Sequence, residues 1–154
     1  MRKLAVALAL PALALGFGAG ASAAPAERSM NDCRGTYING VTQNETNMPL
    51  VVAQTGQALT NEWCRDAGDV RARSSDGWRV GDESAATDMN IVYLLGNGDR
   101  VLFRARIAPG GPAEVSCTFV EVVSPPRRFE CLAEVVAQTP TFAFVRFTVR
   151  PIRL

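Results

Sequence analysis

Residues 91–107, IVYLLGNGDRVLFRARI, decide the fold class that this sequence predicts. Two runs of aliphatic, β-branched and aromatic residues flank Asn97-Gly98. This dipeptide is the strongest short signal for a two-residue β-hairpin turn, because both central positions of that turn take positive φ. The segment therefore predicts two antiparallel strands joined by a tight turn.

Centring the turn on Asn97-Gly98 fixes a register and divides the side chains between two faces. The predicted core face is entirely apolar and carries Val92, Leu94, Val101, Phe103, Ala105 and Ile107. The predicted outer face mixes aliphatic, aromatic and cationic groups, namely Ile91, Tyr93, Leu95, Arg100, Leu102, Arg104 and Arg106. A slip of one residue would bury the arginines, and this favours the register.

A second hairpin is predicted from residues 114–123 and 127–137, which flank Ser124-Pro125-Pro126. Proline removes ladder donors and forces the chain to turn. Placing Cys117 opposite Cys131 also brings an aromatic pair and an opposite-charge pair into register, as facing strands prefer. These pairs are Phe119 with Phe129 and Glu121 with Arg127.

Further strand signals occur at residues 35–42, 49–53 and 141–153, whereas residues 56–78 are the least regular part of the chain. No helical periodicity appears after the N-terminal segment. Short strands at regular intervals, with two hairpins and little helix, predict an all-β, single-domain antiparallel β-sandwich over residues 24–154.

Residues 1–23 are predicted to be a cleaved secretory signal peptide. Arg2 and Lys3 precede an apolar run at residues 4–17, and Ala21-Ser22-Ala23 supplies a small-residue cleavage motif. A membrane anchor is the alternative, but the run is shorter than the ~20 residues that a span needs, and Pro11 interrupts it. We therefore expect a secreted, extracellular protein, and the lysine-free, Arg- and Ala-rich composition of residues 24–154 is typical of a GC-rich bacterial genome.

Four cysteines in an exported chain argue for two disulfides. A metal site made of four thiolates would be expected to contain C-x-x-C pairs, and the sequence has none. Three connectivities are possible. We favour Cys33–Cys64 with Cys117–Cys131, because the second pair agrees with the register of the predicted hairpin.

Composition excludes several function classes. The chain of 154 residues has no histidine and a formal net charge of +1. It can therefore hold neither a Ser-His-Asp or Cys-His catalytic pair nor a His-liganded zinc site. Its balanced charge gives no basic footprint for nucleic acid. The acidic residues between Asp76 and Asp88 lack EF-hand spacing. We expect a non-enzymatic protein without metal, cofactor or nucleic acid.

Aromatic and cationic side chains are the candidate binding residues. Trp63 and Trp78 occur in polar segments, where amphipathic rings suit lipid headgroups, carbohydrate or protein; the alternative is that each covers one edge of the sandwich. We expect both to be partly exposed and close together. Arginines on two strands could recognise anions or could form a solvated face balanced by glutamates. They are Arg104, Arg106, Arg146, Arg150 and Arg153.

Residues 41–50, VTQNETNMPL, resemble the opening strand of the aegerolysins and the related insecticidal crystal proteins, which are small β-sandwiches. The similarity extends loosely to about residue 112, through Glu62-Trp63, Ser75-Asp76-Gly77-Trp78, Ala86-Thr87-Asp88, the strand that ends at Tyr93, and Arg104-Ala105-Arg106. The family has Gly-Thr-Glu-Gly where this chain has residues 86–89, and a tryptophan-containing segment where it has residues 104–106.

The resemblance implies a protein that binds membrane lipid, as one component of a pore-forming pair in some members. The candidate binding residues of this chain are Trp63, Trp78, Tyr93, Arg104 and Arg106. Two function classes stay open. The first is a secreted bacterial, toxin-like protein that recognises a membrane lipid or cell-envelope surface. The second is a secreted protein-interaction module, such as a protease inhibitor or a toxin-neutralising sandwich, with no membrane role.

Overall fold

The computed structural model describes residues 33–57, 61–83, 86–123 and 125–153. The predicted signal peptide, residues 1–23, lies outside them. Nine strands occur in these four segments: β1 (Thr36–Asn44), β2 (Leu50–Gln57), β3 (Glu62–Arg65), β4 (Ser74–Asp82), β5 (Thr87–Leu95), β6 (Arg100–Ile107), β7 (Ala113–Glu121), β8 (Phe129–Thr139) and β9 (Phe142–Pro151). The same segments hold no helix long and apolar enough to cross a membrane.

The strands form two sheets packed face to face. The five-stranded sheet has the order β3-β4-β1-β9-β8, and the four-stranded sheet has the order β2-β5-β6-β7. Neighbouring strands are antiparallel except for β1 and β9, which are parallel. The predicted all-β sandwich and both of its predicted disulfides, Cys33–Cys64 and Cys117–Cys131, are confirmed.

Alternating burial along the strands builds the core. β1 and β5 each alternate buried and half-buried residues over nine positions, as a strand with one face inward must. Large side chains from both inner faces are fully buried, among them Ile38, Val80, Trp78, Phe147, Ile91, Tyr93 and Phe103. Each contributes about 1.5–3 kcal/mol by leaving water, so this core is the main source of stability.

The first hairpin forms where it is predicted, but its loop has three residues. The N–H of Leu95 donates to the carbonyl of Asp99 at 2.8 Å, so residues 96–98 make the turn. Gly98 has a φ of +92°, whereas Asn97 is not in the positive-φ region. This is the three-residue loop that ends in a left-handed glycine, not the two-residue turn in which both residues are left-handed.

The different loop shifts the register by one residue and exchanges the faces of β5. Tyr93 now lies opposite Val101 and is buried. The predicted burial of Val92 and Leu94 is wrong, because both are half-buried on the outer face. On β6 the predicted core residues are buried, namely Val101, Phe103, Ala105 and Ile107.

The second predicted hairpin is wrong. β7 and β8 are the edge strands of different sheets, so Phe119 does not pair with Phe129, nor Glu121 with Arg127. The chain between them crosses from one layer to the other. Cys117–Cys131 therefore links the two layers, with its Cα atoms 5.8 Å apart. The bond is the predicted one, but the strands that carry it face each other across the sandwich.

Five aromatic rings in continuous contact connect the two sheets. Trp63 meets Trp78 edge-on with ring centroids 6.0 Å apart, and Trp78 stacks on Phe147 at 6.2 Å. Phe147 stacks on Phe103 of the other sheet at 4.6 Å, and Phe103 contacts Tyr93 at 5.3 Å. Aromatic pairs at these separations are favourable beyond the area that they bury.

Gly40 makes room for this chain of rings. It is the register partner of Trp78, and a Cβ at position 40 would lie 1.9 Å from the indole ring. The ring can therefore lie flat on the inner surface of the five-stranded sheet only because residue 40 has no side chain.

We expect Gly40→Ala to lower the free energy of unfolding by more than about 2 kcal/mol, because an indole held between Trp63 and Phe147 cannot move away from the added methyl group. Gly77→Ala, in the neighbouring strand, is the control, since its nearest contact would be an ordinary 3.6 Å. Urea denaturation of both variants checks this. Equal midpoints for the two variants would contradict it.

Phe103→Ala should cost about 3–5 kcal/mol of stability as the truncation of a fully buried ring. Arg104→Ala should change stability by less than about 0.5 kcal/mol, because Arg104, which follows Phe103 in β6, faces solvent. Comparable losses of denaturant midpoint in the two variants would refute the face assignment of β6.

Candidate functional site

The structure brings the two tryptophans together but exposes only one of them. Trp63, on the edge strand β3, is half-buried, whereas Trp78 is 2% exposed. The expected exposure of Trp78 is therefore wrong. Its polar sequence context arises because Gly77 and Arg79, its neighbours in β4, point to the other face of the sheet.

Tyr93 is a core residue with an internally bonded hydroxyl group. Its O–H donates to the carbonyl of Gly68 at 3.2 Å, and its oxygen lies 3.3 Å from the hydroxyl of Thr42. Thr42 in turn accepts the indole N–H of Trp78 at 3.2 Å. Burial raises the pKa of Tyr93 to about 12, against a smaller lowering by the bond to Thr42.

The arginines that the sequence suggested as one surface lie on opposite sides of the molecule. Arg104 and Arg106 are exposed on the outer face of the four-stranded sheet. Arg146 and Arg150 lie on the outer face of the five-stranded sheet, each 2.7 Å from a glutamate of β8. The alternative interpretation, a face balanced by glutamates, therefore holds for these two residues.

Arg106 also has acidic register neighbours. It lies between Asp88 of β5 and Glu114 of β7, in a depression of about 290 Å³ that Arg104 and Ser116 also line. The carboxylates of Asp88 and Glu114 balance the guanidinium groups of Arg104 and Arg106, so the lining has no net positive charge. This face is therefore a poor site for an anion.

A surface that the sequence did not suggest lies on the outer face of the five-stranded sheet. We call it the aromatic patch, and it consists of Tyr37, Arg79, Phe142 and Phe144. The rings of Tyr37 and Phe142 are 5.0 Å apart, and the guanidinium carbon of Arg79 lies 5.3 Å from the centre of the Tyr37 ring. The Arg79 Nε–H also donates to Asn39 Oδ1, which fixes the cation in place.

The alternation of β1 and β9 points these rings outward. Ile38, Ala143 and Val145 are fully buried in the core, so Tyr37, Phe142 and Phe144 must face the other way, and all three are half-buried. In the parallel pairing Phe142 lies beside Tyr37, which brings rings from distant parts of the sequence together.

Hydrogen bonds between turns hold this end of the sandwich. Gly110 N–H donates to the carbonyl of Pro140 at 2.8 Å. The side chain of Gln138 accepts from Ala113 N–H at 2.9 Å and donates to the carbonyl of Gly111 at 2.7 Å. The turn that precedes Phe142 is therefore tied to the turn between β6 and β7.

A polar depression continues from the aromatic patch along the same face. It has a volume of about 800 Å³ and is lined by Val41, Gln43, Asn44, Glu45, Arg73, Ser74, Ser75 and Arg146. Val41 and Arg146 are register partners. Each lies two residues beyond Asn39 or Phe144 in the same strand and therefore on the same face of the sheet. Rings and polar groups thus form one surface.

Buried hydrogen bonds position the loops around this depression. Asn44 is buried, and its side-chain amide donates to the carbonyls of Met48, Val70 and Arg71 at 2.7, 3.2 and 3.0 Å. Arg73 follows, with a φ of +54° and its N–H donated to the carbonyl of Thr46. A positive φ is a strained backbone conformation for a residue with a Cβ, and such conformations are more common at functional sites.

In the described part of the chain, no three His, Cys, Asp or Glu side chains gather so that they could hold a metal ion. No family model matches the chain. No curated protein matches it either.

Solved structures with the same fold do exist. The lipid binding protein Nakanori superimposes with a TM-score of 0.63 at 8% identity, over 75% of this chain and 71% of Nakanori. The RahU protein, solved in complex with a TRIS molecule, gives a TM-score of 0.57 at 11% identity, over 77% of this chain and 97% of RahU. At these identities the similarity is one of fold.

Tyr93 predicts a loss of stability at alkaline pH. Because its folded pKa of about 12 exceeds the ordinary 10, its contribution is complete below pH 10 and disappears as the pH rises through 12. We expect the free energy of unfolding to fall by about 2–3 kcal/mol across this window. The described segments contain no lysine, so no ammonium group titrates between pH 10 and 12 in them. Tyr93→Phe should show a smaller fall, and equal falls in denaturant titrations of both proteins would contradict the prediction.

Proposed function

We propose that this chain is an exported, non-enzymatic protein of aegerolysin type that binds a membrane-lipid surface. The observation that carries the proposal is the aromatic patch beside the polar depression, on the outer face of a sheet in a fold shared with a lipid binding protein. Two disulfides support the extracellular part of the proposal, since such bonds persist in oxidising compartments.

The aromatic patch has the chemistry of a membrane-interface contact. Tyr37 combines an apolar ring with a hydroxyl group, and Phe142 and Phe144 add purely apolar area beside it. Aromatic rings are enriched at the level of lipid headgroups for this reason. Arg79 extends its guanidinium group over the Tyr37 ring, so the patch can bury apolar area and still place one cation near lipid phosphates.

The polar depression is suited to a lipid headgroup. Arg73, Ser75 and Gln43 offer a cation, a hydroxyl group and an amide at its lining, within the same surface as the rings. Arg146 at its border is already paired with Glu134. The local charge is therefore small, and we propose binding through contact rather than through long-range attraction, with only mild sensitivity to salt.

The residues suggested by the sequence divide between two sheets. Trp78 and Tyr93 support the site from within, through the core. Trp63, Arg104 and Arg106 reach the surface away from the aromatic patch, and each remains a candidate for a separate contact.

Co-sedimentation with vesicles tests the proposal. We expect the wild-type chain to sediment with vesicles of at least one composition, among zwitterionic, anionic and sterol-containing ones. The double variant Phe142→Ser, Phe144→Ser should lose more than about tenfold in apparent affinity, because two rings no longer leave water. Val51→Ser, at an exposed position of β2, is the matched control and should bind as wild type.

Circular dichroism establishes that each variant is folded. Unchanged binding by the folded double variant would refute the patch as the site. Selective loss in Trp63→Ala or in Arg104→Ala, Arg106→Ala would move the site to those residues. A wild-type chain that sediments with none of the vesicles would refute lipid binding and favour the protein-interaction module.

A further inference from the structure

Two strand edges lie unpaired on one side of the sandwich. β7 is the last strand of the four-stranded sheet and β8 the last of the five-stranded sheet, and the Cys117–Cys131 disulfide holds them together. We call these two strands, with Val123 in their connection, the β7/β8 wall. Within the described segments no other strand pairs with either edge, and only the start of β7 is engaged there, where the N–H of Ala113 donates to the side chain of Gln138.

Exposed aliphatic side chains concentrate on this wall. Six large hydrophobic side chains of the described residues are exposed, and five of them belong to it. They are between 37% and 55% exposed, namely Val120, Val123, Leu132, Val135 and Val136. Only Val51 lies elsewhere, on β2 at the opposite side. A concentration of this kind is typical of an interaction surface.

The wall lacks two of the devices that keep sheet edges apart, lysine and proline. β7 and β8 contain no lysine and no proline, and they extend over nine and eleven residues. The edge strands of the opposite side are shorter, because β3 has four residues and β2 has eight, with a bulge between Val52 and Gln54. The bulges of the wall come late in its strands, at Val120 in β7 and at Val136 in β8, so residues 113–119 and 129–135 are regular.

Three of the four glutamates of β7 and β8 are neutralised by ion pairs within the chain, and the fourth, Glu114, is the register partner of Arg106. Glu121 of β7 pairs with Arg100 at 3.3 Å. Glu130 and Glu134 of β8 pair with Arg150 and Arg146 of β9, both at 2.7 Å. A partner therefore meets paired charges, aliphatic side chains and free backbone groups. This chemistry fits a neutral sheet edge and offers nothing to a strongly charged partner.

We propose that the β7/β8 wall joins a second copy of this chain about a twofold axis perpendicular to both sheets, pairing β8 with β8 and β7 with β7. A second copy presents the same two edges at the same separation, so it can pair both sheets at once, whereas a single extended peptide could pair only one. The twofold makes both new strand pairs antiparallel and continues each sheet across the interface.

The test measures the oligomeric state of the disulfide-bonded chain by sedimentation velocity over about a hundredfold range of concentration. We expect a concentration-dependent dimer. Val136→Lys on β8 and Val120→Lys on β7 should each raise the dissociation constant of the dimer more than about tenfold, because lysine on an edge strand disfavours pairing with another edge. Val51→Lys is the matched control, with a similar starting exposure on the opposite side, and should dimerise as wild type.

Amide hydrogen exchange gives a second readout that does not depend on any variant folding. Protection of β7 and β8 should increase with protein concentration, while protection of β2 and β3 stays constant. The proposal is overturned if the wild-type chain is monomeric throughout, if the lysine variants on the wall dimerise as well as Val51→Lys, or if protection of the wall appears only when vesicles are added. The sedimentation and concentration-dependent exchange measurements are made without lipid, so their outcome is independent of the proposed function.

Discussion

The packing of the Trp78 indole over Gly40 is the constraint on which the rest of the structure depends. Because residue 40 has no side chain, the ring lies against the sheet and reaches Phe147, which stacks on Phe103 of the other sheet. The buried indole N–H then needs an acceptor, and Thr42 supplies it two residues along the same strand. Thr42 also contacts the Tyr93 hydroxyl, so rings and hydrogen bonds close one circuit between the sheets. A side chain at position 40 would displace the indole and break the circuit at its first contact.

The same strands that build this circuit also build the candidate lipid surface. Thr42 and Phe147 face inward, whereas Tyr37, Phe142 and Phe144 face outward on the same two strands, as the alternation of a strand requires. A parallel neighbour for β1 is what places Phe142 beside Tyr37. The position of the aromatic patch is therefore fixed by the core packing of the strands that carry it, and its rings need no loop to hold them.

Sequence reasoning reached the fold class, the inward face of β6 and both disulfides, because these depend on strand-length patterns, export and local alternation. It missed the register of β5, since Asn97-Gly98 indicates a turn but does not fix whether two or three residues form it; the Asp99 carbonyl accepts the closing bond from Leu95. It also misassigned the partner of β7, because Cys117 and Cys131 come equally close whether their strands are neighbours or face each other. The patch was out of reach for a related reason. Phe142 and Phe144 are the same residue type as the buried Phe147, and only their long-range pairing shows which face they occupy.

The two proposed surfaces meet on β8, and their geometry links them. Ala137 and Thr139 of β8 are the register partners of Phe144 and Phe142, while the free edge of the same strand forms half of the β7/β8 wall. A twofold axis perpendicular to the sheets keeps the outer face of each copy on the same side, so pairing β8 with β8 would place both aromatic patches on one continuous face. Two weak, nearly uncharged contacts on one rigid body then act on one membrane. Bivalent attachment of this kind can exceed single-site affinity by about 10²–10⁴-fold without any new contact. A chain with balanced charge has little long-range attraction to concentrate it at a membrane, and doubling the patch is a direct way to compensate.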